Sequence, residues 1–131
     1  MHDIGKIGIS GRIIRKPGKL TTEEQVLMRL HSSVSASIIQ HLEILGESAQ
    51  MVRHHHENWD GTGYPDGLKG EEIPLGARII FVADAFDAVT TDRPYRKGAS
   101  RAAAIAVIQE HAGTQFDPTV AAALERISAS L

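Results

Sequence analysis

The chain has 131 residues, no cysteine and a formal net charge of −2. This length is typical of one domain that buries its core without disulfides, and the lack of thiols restricts any metal site to nitrogen and oxygen ligands. The nearly balanced charge argues against duplex nucleic acid as a partner. With no secretion signal and no apolar run near the ~20 residues of a membrane span, we expect a cytoplasmic protein with no membrane partner.

The first half of the chain carries two helical patterns. Thr21 and Glu24 have the spacing of a capping box, and the apolar stripe that follows predicts a helix over 22–31. A second pattern predicts a helix over 34–45, with the serines before it as caps and Gly46 as its end.

The second half continues the helical pattern. We expect a short helix over 47–57, a glycine-rich loop over 58–74 and a long buried helix over 75–92, which is too long for a strand. An alanine-rich helix is predicted over 100–111, and Asp117 before a proline opens the last helix. The prediction is an all-α bundle of five or six helices without a convincing strand.

Three consecutive histidines, His54, His55 and His56, suggest a metal site. Such a polar run beside apolar residues is costly to pack unless a metal or hydrogen bonds satisfy it, so at least two of the three are expected to be ligands. The His2–Asp3 pair also offers ligand atoms, although the pair taken by itself fits an ordinary helix end better than a metal site. His31 by itself reads as a cap at the end of the first helix.

Two aspartates lie on the apolar helix predicted over 75–92. A buried carboxylate at Asp84 needs a cation, which is either a metal or a basic side chain such as Lys6. Asp87 lies three residues later on the same face, and we expect it to pair with a lysine or to orient the ligands from outside the metal's own shell.

Taken together, these motifs resemble the HD-GYP family of metal-dependent phosphodiesterases, within the wider HD superfamily. The resemblance runs from one end of the chain to the other in the same order. The matching stretches are HDIGKIGI at 2–9, KPGKLTTEE at 16–24, His31, HHENWDGTGYPDGLKG at 55–70, ARIIFVADAFDAVTTDRPYR at 77–96 and GTQFDP at 113–118.

The resemblance implies a single HD-domain-like helical bundle over 1–131 that hydrolyses the bacterial second messenger cyclic di-GMP through a hydroxide bridging two metals. Iron or manganese is the expected metal, and zinc also suits imidazole and carboxylate ligands. Asp3 would bridge the metals, Lys6 would neutralise charge on the phosphate, and His54 would be a spare histidine outside the ligand shell or exposed. The implied ligands are His2, Asp3, His31, His55, His56 and Asp84.

The resemblance also assigns substrate contacts to Tyr64, Arg93 and Arg96. Arginine suits phosphate because its planar fork binds oxygens in pairs. The local alternatives are a packed loop with Tyr64 in the core and a solvated charge at Arg96. We further expect the glycine-rich loop over 58–74, called the GYP loop below, to contact diguanylate cyclase domains.

One departure concerns the start of the chain, because family members carry helices before the His-Asp pair. We therefore expect two metals rather than three, and a truncated domain with uncovered apolar faces. A longer parent protein, a partner chain or a homodimer would cover those faces. A non-catalytic sensor or interaction module remains an alternative to the phosphodiesterase, as does a phosphohydrolase acting on another nucleotide.

Overall fold

A computed structural model describes residues 2–40 and 46–129. Those residues form six α-helices and two short 3-10 helices, and within them pairing of extended backbone is limited to two isolated bridges. The all-α prediction is therefore confirmed. The 3-10 helices span Ile4–Gly8 and Gly70–Glu72, and the α-helices are α1 (Gly11–Ile14), α2 (Thr22–Gln40), α3 (Gly46–His54), α4 (Leu75–Thr90), α5 (Arg101–Glu110) and α6 (Pro118–Ala129).

Helix α2 begins with the predicted capping box. Thr21 Oγ1 accepts the backbone N–H of Glu24 at 3.2 Å, and the Glu24 carboxylate accepts the N–H of Thr21 at 2.8 Å. The expectation of separate helices over 22–31 and 34–45 is wrong, because α2 runs without a break through both serines to Gln40. Ser32 Oγ donates to the Arg29 carbonyl at 3.2 Å, so its hydroxyl bonds the preceding turn instead of capping a new helix.

Helix α3 ends earlier than predicted. The predicted helix over 47–57 stops at His54, where the N–H of Glu57 bonds the His54 carbonyl at 3.0 Å and turns the chain into the GYP loop. His55 and His56 therefore lie in the turn after the helix and not on its last turn. Gly46, expected to end a helix, is the first residue of α3, and residues 41–45 lie outside the described part of the chain.

The three C-terminal helices begin close to their predicted positions, and α4 and α5 also end close to their predicted limits. Ser100 Oγ accepts the N–H of Ala103 at 3.2 Å at the start of α5, and Asp117 Oδ1 accepts the N–H of Thr119 at 2.7 Å at the start of α6. Both are N-caps of the expected kind. Asp117 also pairs with Arg78 Nη1 of α4 at 2.6 Å, which fixes the start of α6 against α4.

Two apolar clusters hold the helices together. Val82 of α4, Ile108 of α5 and Ala121 of α6 surround Phe116, and a smaller cluster joins α2 to α3. Burial of such side chains contributes roughly 25 cal/mol per Å² of apolar surface removed from water. No helix in the described part of the chain combines the length and the apolar character that crossing a bilayer demands.

One side of α2 leaves large apolar side chains in contact with solvent. Their exposed fractions lie between 38% and 56%, and the residues are Val26, Leu27, Leu30, Val34 and Ile38. The stripe is an exposed apolar face of α2. A partner chain on the stripe stays a prediction.

Candidate metal centre

Four segments deliver the six predicted ligands to one place. His2 and Asp3 precede the first 3-10 helix, His31 lies in the middle of α2, His55 and His56 follow α3, and Asp84 lies on α4. His31 was expected at the end of a helix, and it lies inside α2 because the two predicted helices are one.

A close backbone contact brings the first segment to α2. The N–H of Gly5 donates to Ser35 Oγ at 2.7 Å, and a Cβ on Gly5 would lie 2.2 Å from the His31 carbonyl oxygen. Only glycine permits this approach. Gly5 and buried Ser35 therefore fix the positions of His2 and Asp3 relative to His31.

Two of the histidines are oriented by backbone carbonyls. His31 Nδ1 donates to the Met28 carbonyl at 2.6 Å, and His55 Nδ1 donates to the Val52 carbonyl at 2.6 Å. A carbonyl can only accept, so the proton of each neutral ring is on Nδ1 and its Nε2 carries the free lone pair. Histidine ligands of metals are commonly oriented in this way.

The Nε2 atom of His55 is buried and has no hydrogen-bond partner. A buried polar atom without a partner costs about 1–3 kcal/mol, so its presence calls for an explanation. Burial is the main cause that lowers the pKa of His55 to about 4 and that of His56 to about 3. Both imidazoles are therefore neutral at pH 7, which is the state that binds metal.

Asp3 faces histidines on both sides. Its Oδ1 lies 3.5 Å from His31 Nε2, and its Oδ2 lies 3.7 Å from His2 Nε2. Lys6 Nζ donates to Oδ2 at 2.8 Å. Burial acts to raise the pKa of Asp3, but the hydrogen bond and charge of Lys6, with help from His2 and His31, leave it below its usual value.

The spacing of these atoms fits bound metal ions. A tetrahedral or octahedral metal with bonds of about 2.1 Å holds neighbouring ligand atoms roughly 3 to 3.4 Å apart. His56 Nε2 lies 3.2 Å from His31 Nε2, and the ligand atoms of His31, His55 and His56 all lie within 4.8 Å of one another, as do those of His2, Asp3 and His55. Because His55 belongs to both groups, they adjoin.

Asp84 completes the group, with a correction to its expected burial. Its side chain is 41% exposed, and its Oδ1 lies 3.6 Å from His2 Nε2. Asp84 therefore opens onto solvent at the edge of the cluster. The carboxylate of Asp87 accepts a hydrogen bond from Thr91 Oγ1 at 3.0 Å, so its described contact lies at the end of its own helix and not with a predicted ligand.

The GYP loop places Tyr64 beside the histidines. The Tyr64 ring stacks on the His56 ring with centroids 5.1 Å apart, and the guanidinium of Arg29 lies over the Tyr64 ring at 5.1 Å. Burial raises the pKa of the Tyr64 hydroxyl, which stays protonated at neutral pH and can donate a hydrogen bond. Arg29 lies two residues before His31 in α2, and sequence analysis did not single it out.

A second polar group joins His54 to Glu57 and Asp66, and sequence analysis did not predict this grouping. His54 is 6% exposed, with Nδ1 3.4 Å from Glu57 Oε1 and 3.6 Å from Asp66 Oδ2. Of the two alternatives expected for His54, outside the ligand shell or exposed, the exposed one is wrong, and its described partners are carboxylates outside the six-residue cluster. The buried glutamate could have been noticed from its place between His56 and the glycine-rich loop.

The two predicted substrate arginines lie in an exposed turn after α4. Arg93 and Arg96 exchange backbone hydrogen bonds of 2.8 and 3.0 Å, and Arg96 Nη2 donates to the Ala88 carbonyl at 2.6 Å. Ala88 lies four residues after Asp84, about 6 Å farther along the same helix face. The Arg96 guanidinium is thus held about one helical turn beyond Asp84.

The all-α architecture and a histidine–aspartate pocket of this kind define a class of helical domains with a candidate metal centre. Residues 1–120 match the family model described as HD domain, and the chain belongs to the HD domain family. Together with its relatives, the motifs place it in the HD-GYP group.

Several curated proteins are similar over nearly the whole chain. Identity is 42% to the cyclic di-GMP phosphodiesterase response regulator RpfG of Xanthomonas campestris, over 100% of this chain and 35% of that protein. Identity is 47% to the cyclic di-GMP phosphodiesterase PA4108 of Pseudomonas aeruginosa, over 92% of this chain and 29% of that protein. Identity is 43% to the 3'3'-cGAMP-specific phosphodiesterase 3 of Vibrio cholerae, over 96% of this chain and 27% of that protein.

A solved structure has the same fold. The crystal structure of a cyclic GMP-AMP-specific phosphodiesterase of V. cholerae superposes with a TM-score of 0.61 at 23% identity, over 98% of this chain and 36% of that one. The chain thus spans roughly a third or less of the length of the relatives it matches.

Proposed function

We propose that this domain is a metal-dependent phosphodiesterase that hydrolyses a cyclic dinucleotide, with cyclic di-GMP as its substrate. The observation that carries the proposal is the convergence of His2, Asp3 and Asp84 on the three imidazoles of the centre, one of which has a buried, unpartnered Nε2. Relatives over most of this chain are phosphodiesterases for cyclic dinucleotides, which favours that substrate class.

The donor set fits two divalent cations. His31 and His56 would hold one ion and His2 with Asp84 the other, while His55 lies between the pairs and Asp3 presents one oxygen to each side. When bound, such ions supply Lewis-acid activation of water and neutralise charge on a phosphodiester. Imidazole and carboxylate ligands suit iron, manganese or zinc.

The remaining residues would act on the substrate directly. Lys6 Nζ lies 2.8 Å from Asp3 Oδ2. In this position the ammonium can pair with a non-bridging phosphate oxygen next to the centre. The Tyr64 hydroxyl keeps its proton at neutral pH and can donate it in a hydrogen bond. Arg96, together with Arg93, would bind a phosphate or base at the edge beyond Asp84.

The choice between cyclic di-GMP and 3'3'-cGAMP is the finer part of the proposal. Relatives named for either substrate match this chain at similar identity. The two ligands differ in one base, so discrimination depends on hydrogen bonds at a base edge and not on the metal centre. The GYP loop with Tyr64 is the segment nearest the centre that could contact a base. Contacts of the loop with a diguanylate cyclase domain, and a second copy of the chain on the α2 stripe, stay predictions.

The experiment is a product analysis with purified, metal-loaded protein. Chain loaded anaerobically with Fe²⁺, or with Mn²⁺, is incubated with cyclic di-GMP and in parallel with 3'3'-cGAMP, and the products are separated by ion-exchange chromatography. His55→Ala is the inactive variant. His111→Gln is the matched control, because His111 is exposed and its Nδ1 bonds the carbonyl of Val107 in the helix α5 that it follows.

We expect faster loss of cyclic di-GMP than of 3'3'-cGAMP, no product with His55→Ala, and normal product with His111→Gln. Chelation should abolish hydrolysis. Faster loss of 3'3'-cGAMP would change the substrate and leave the reaction class intact. Binding of metal and dinucleotide without hydrolysis would contradict the proposal and favour a sensor module.

A further inference from the structure

Glu57 is a buried carboxylate that the proposed reaction does not use. Its side chain is fully buried, and it directly follows the predicted ligands His55 and His56. Both of its oxygens accept backbone N–H groups from the GYP loop: Oε1 from Asp66 at 2.7 Å and Oε2 from Leu68 at 3.1 Å. A carboxylate placed in this way fixes the return path of the loop with two charge-assisted hydrogen bonds.

The loop segment just before Asp66 packs directly against the centre. The N–H of Tyr64 donates to the His56 carbonyl at 3.2 Å. Gly63 lies so close to the backbone that a Cβ there would be 2.2 Å from the Asn58 nitrogen. The Tyr64 ring stacks on the His56 ring. Glu57 is therefore linked through the loop to the ring of His56, its neighbour in sequence.

Glu57 could instead be read as a ligand of another metal, since His54, Glu57 and Asp66 bring their ligand atoms within 4.8 Å of one another. The charges oppose this reading. Arg53 Nε and Nη2 each donate to one oxygen of Asp66 at 2.9 Å, which places a guanidinium where it repels a second cation. The hydrogen bonds of Glu57 instead go to the backbone of the GYP loop and hold the loop in place.

We propose that Glu57 is a positioning residue that holds the GYP loop against His56 and so sets the geometry of the metal centre. This inference rests on the proposed metal site. The chain of contacts runs from the Glu57 carboxylate to the N–H groups of Asp66 and Leu68. From there it follows the loop back to Tyr64, whose ring stacks on the His56 imidazole, and His56 Nε2 lies 3.2 Å from His31 Nε2.

The variant Glu57→Gln tests this anchoring with little change in volume. Its amide oxygen can still accept one N–H, but its NH₂ group meets the other N–H and cannot accept from it. The loop should therefore lose one anchor. Glu71→Gln is the matched control, because it removes the same charge from an exposed residue farther along the same loop.

Four measurements report on the folded protein without relying on turnover. Hydrogen exchange follows the Asp66 and Leu68 amides, and fluorescence of Trp59, the single tryptophan of the chain, follows the loop. Titration of Mn²⁺ gives metal affinity, and the visible spectrum of the Co²⁺-loaded protein reports the ligand geometry. For Glu57→Gln we expect about tenfold faster exchange, a Trp59 spectral shift, metal binding about tenfold weaker and a changed Co²⁺ spectrum.

A role in overall stability alone predicts a different result. It would lower the melting temperature but leave the affinity and the Co²⁺ spectrum equal to those of Glu71→Gln at temperatures where both are folded, and that result would overturn the proposal. If Glu57→Gln does not fold, Gly63→Ala decides, because its methyl group would lie 2.2 Å from the Asn58 nitrogen, 2.5 Å from the His56 carbonyl oxygen and 2.6 Å from the Glu57 Cα. It therefore pushes the loop from this backbone while the Glu57 carboxylate is retained. Unchanged metal affinity in a folded Gly63→Ala would equally overturn it.

The failure of the two proposals can be told apart. A wild-type protein that binds metal with altered affinity in Glu57→Gln, but that hydrolyses no dinucleotide, contradicts only the proposed function. A wild-type protein that binds no metal contradicts both.

Discussion

The two halves of the molecule bury different chemistry. Around α2, α3 and the turn after α3, the buried side chains include His31, His54, His55 and Glu57, whereas the C-terminal helices close on Val82, Ile108, Phe116 and Ala121. The buried charge in the C-terminal half, Asp117, is paired with Arg78. The C-terminal half is thus stabilised mainly by apolar packing, while the N-terminal half combines a smaller apolar cluster with buried polar atoms whose stability depends on what they bind.

The sharpest way to break this contrast is His55→Ala. Because His55 adjoins both proposed ions, its loss should lower metal content to one ion per chain or fewer and reduce hydrolysis by at least about 10³-fold. The metal-free variant should lose less stability than an ordinary core truncation, since the removed ring carries an unpartnered atom. Metal analysis and product assays check this, with His111→Gln unchanged. Full metal content in His55→Ala would contradict the proposed centre.

The apolar half should respond in the opposite way. Phe116→Ala removes a ring that is 3% exposed, and we expect a loss of about 3–4 kcal/mol in the free energy of unfolding. Metal affinity at temperatures where the variant is folded should stay within about threefold of wild type. Denaturant unfolding and Mn²⁺ titration measure the two effects. The partly exposed Val107→Ala serves as the control, and a large loss of metal affinity in Phe116→Ala would show that the halves are not separable.

Acid should destabilise the metal-free protein through the polar half. The pKa of His55 is lowered from 6.5 to about 4 and that of His56 to about 3, so below pH 6.5 the unfolded chain binds protons that the folded chain does not. The two neutral imidazoles therefore contribute their full stability to the folded protein above pH 6.5, and this contribution is lost as the pH falls toward 4. For the shift in the pKa of His55 the loss in the free energy of unfolding is about 3 kcal/mol.

Denaturant unfolding of metal-free protein between pH 7 and 4.5 measures this effect. His55→Gln, which carries no titrating ring at that position, should show a shallower dependence on pH. Equal stability at pH 7 and pH 5 in the wild-type protein would mean that the imidazoles are not held neutral by burial.

The smallest effect is expected from a substitution of Lys6, which should change turnover without changing metal binding. Lys6→Met keeps the length of the side chain but removes the ammonium next to Asp3. We expect turnover to fall about 30-fold, equivalent to ~2 kcal/mol, while metal content stays unchanged. Steady-state kinetics and elemental analysis check both numbers. A parallel loss of metal would show that Lys6 serves the site only by holding Asp3.

The sequence predicted features that depend on neighbouring residues. The capping box at Thr21, the cap at Ser100 and the start of α6 after Asp117 are all confirmed, because each depends on side chains a few positions from the backbone that they bind. The break expected in α2 did not occur. Ser35, near the expected break, receives the N–H of Gly5 from thirty residues away, a contact that no local pattern contains.

The candidate site divides in the same way. His2, His31 and Asp84 were predicted through resemblance to a family, and the structure brings them together with the other predicted ligands. The roles of Glu57 and Arg29 were missed because they depend on burial and on a loop folding back, which spacing along the chain does not encode.

The most direct test of the central claim, that these six side chains hold divalent ions, is anomalous X-ray scattering from crystals of the Mn²⁺-loaded protein. We expect two peaks inside the cluster, each about 2.0–2.3 Å from imidazole nitrogens. The Asp3 carboxylate should lie next to both peaks. Peaks confined to His54 and Asp66, or none near His55 Nε2, would contradict it.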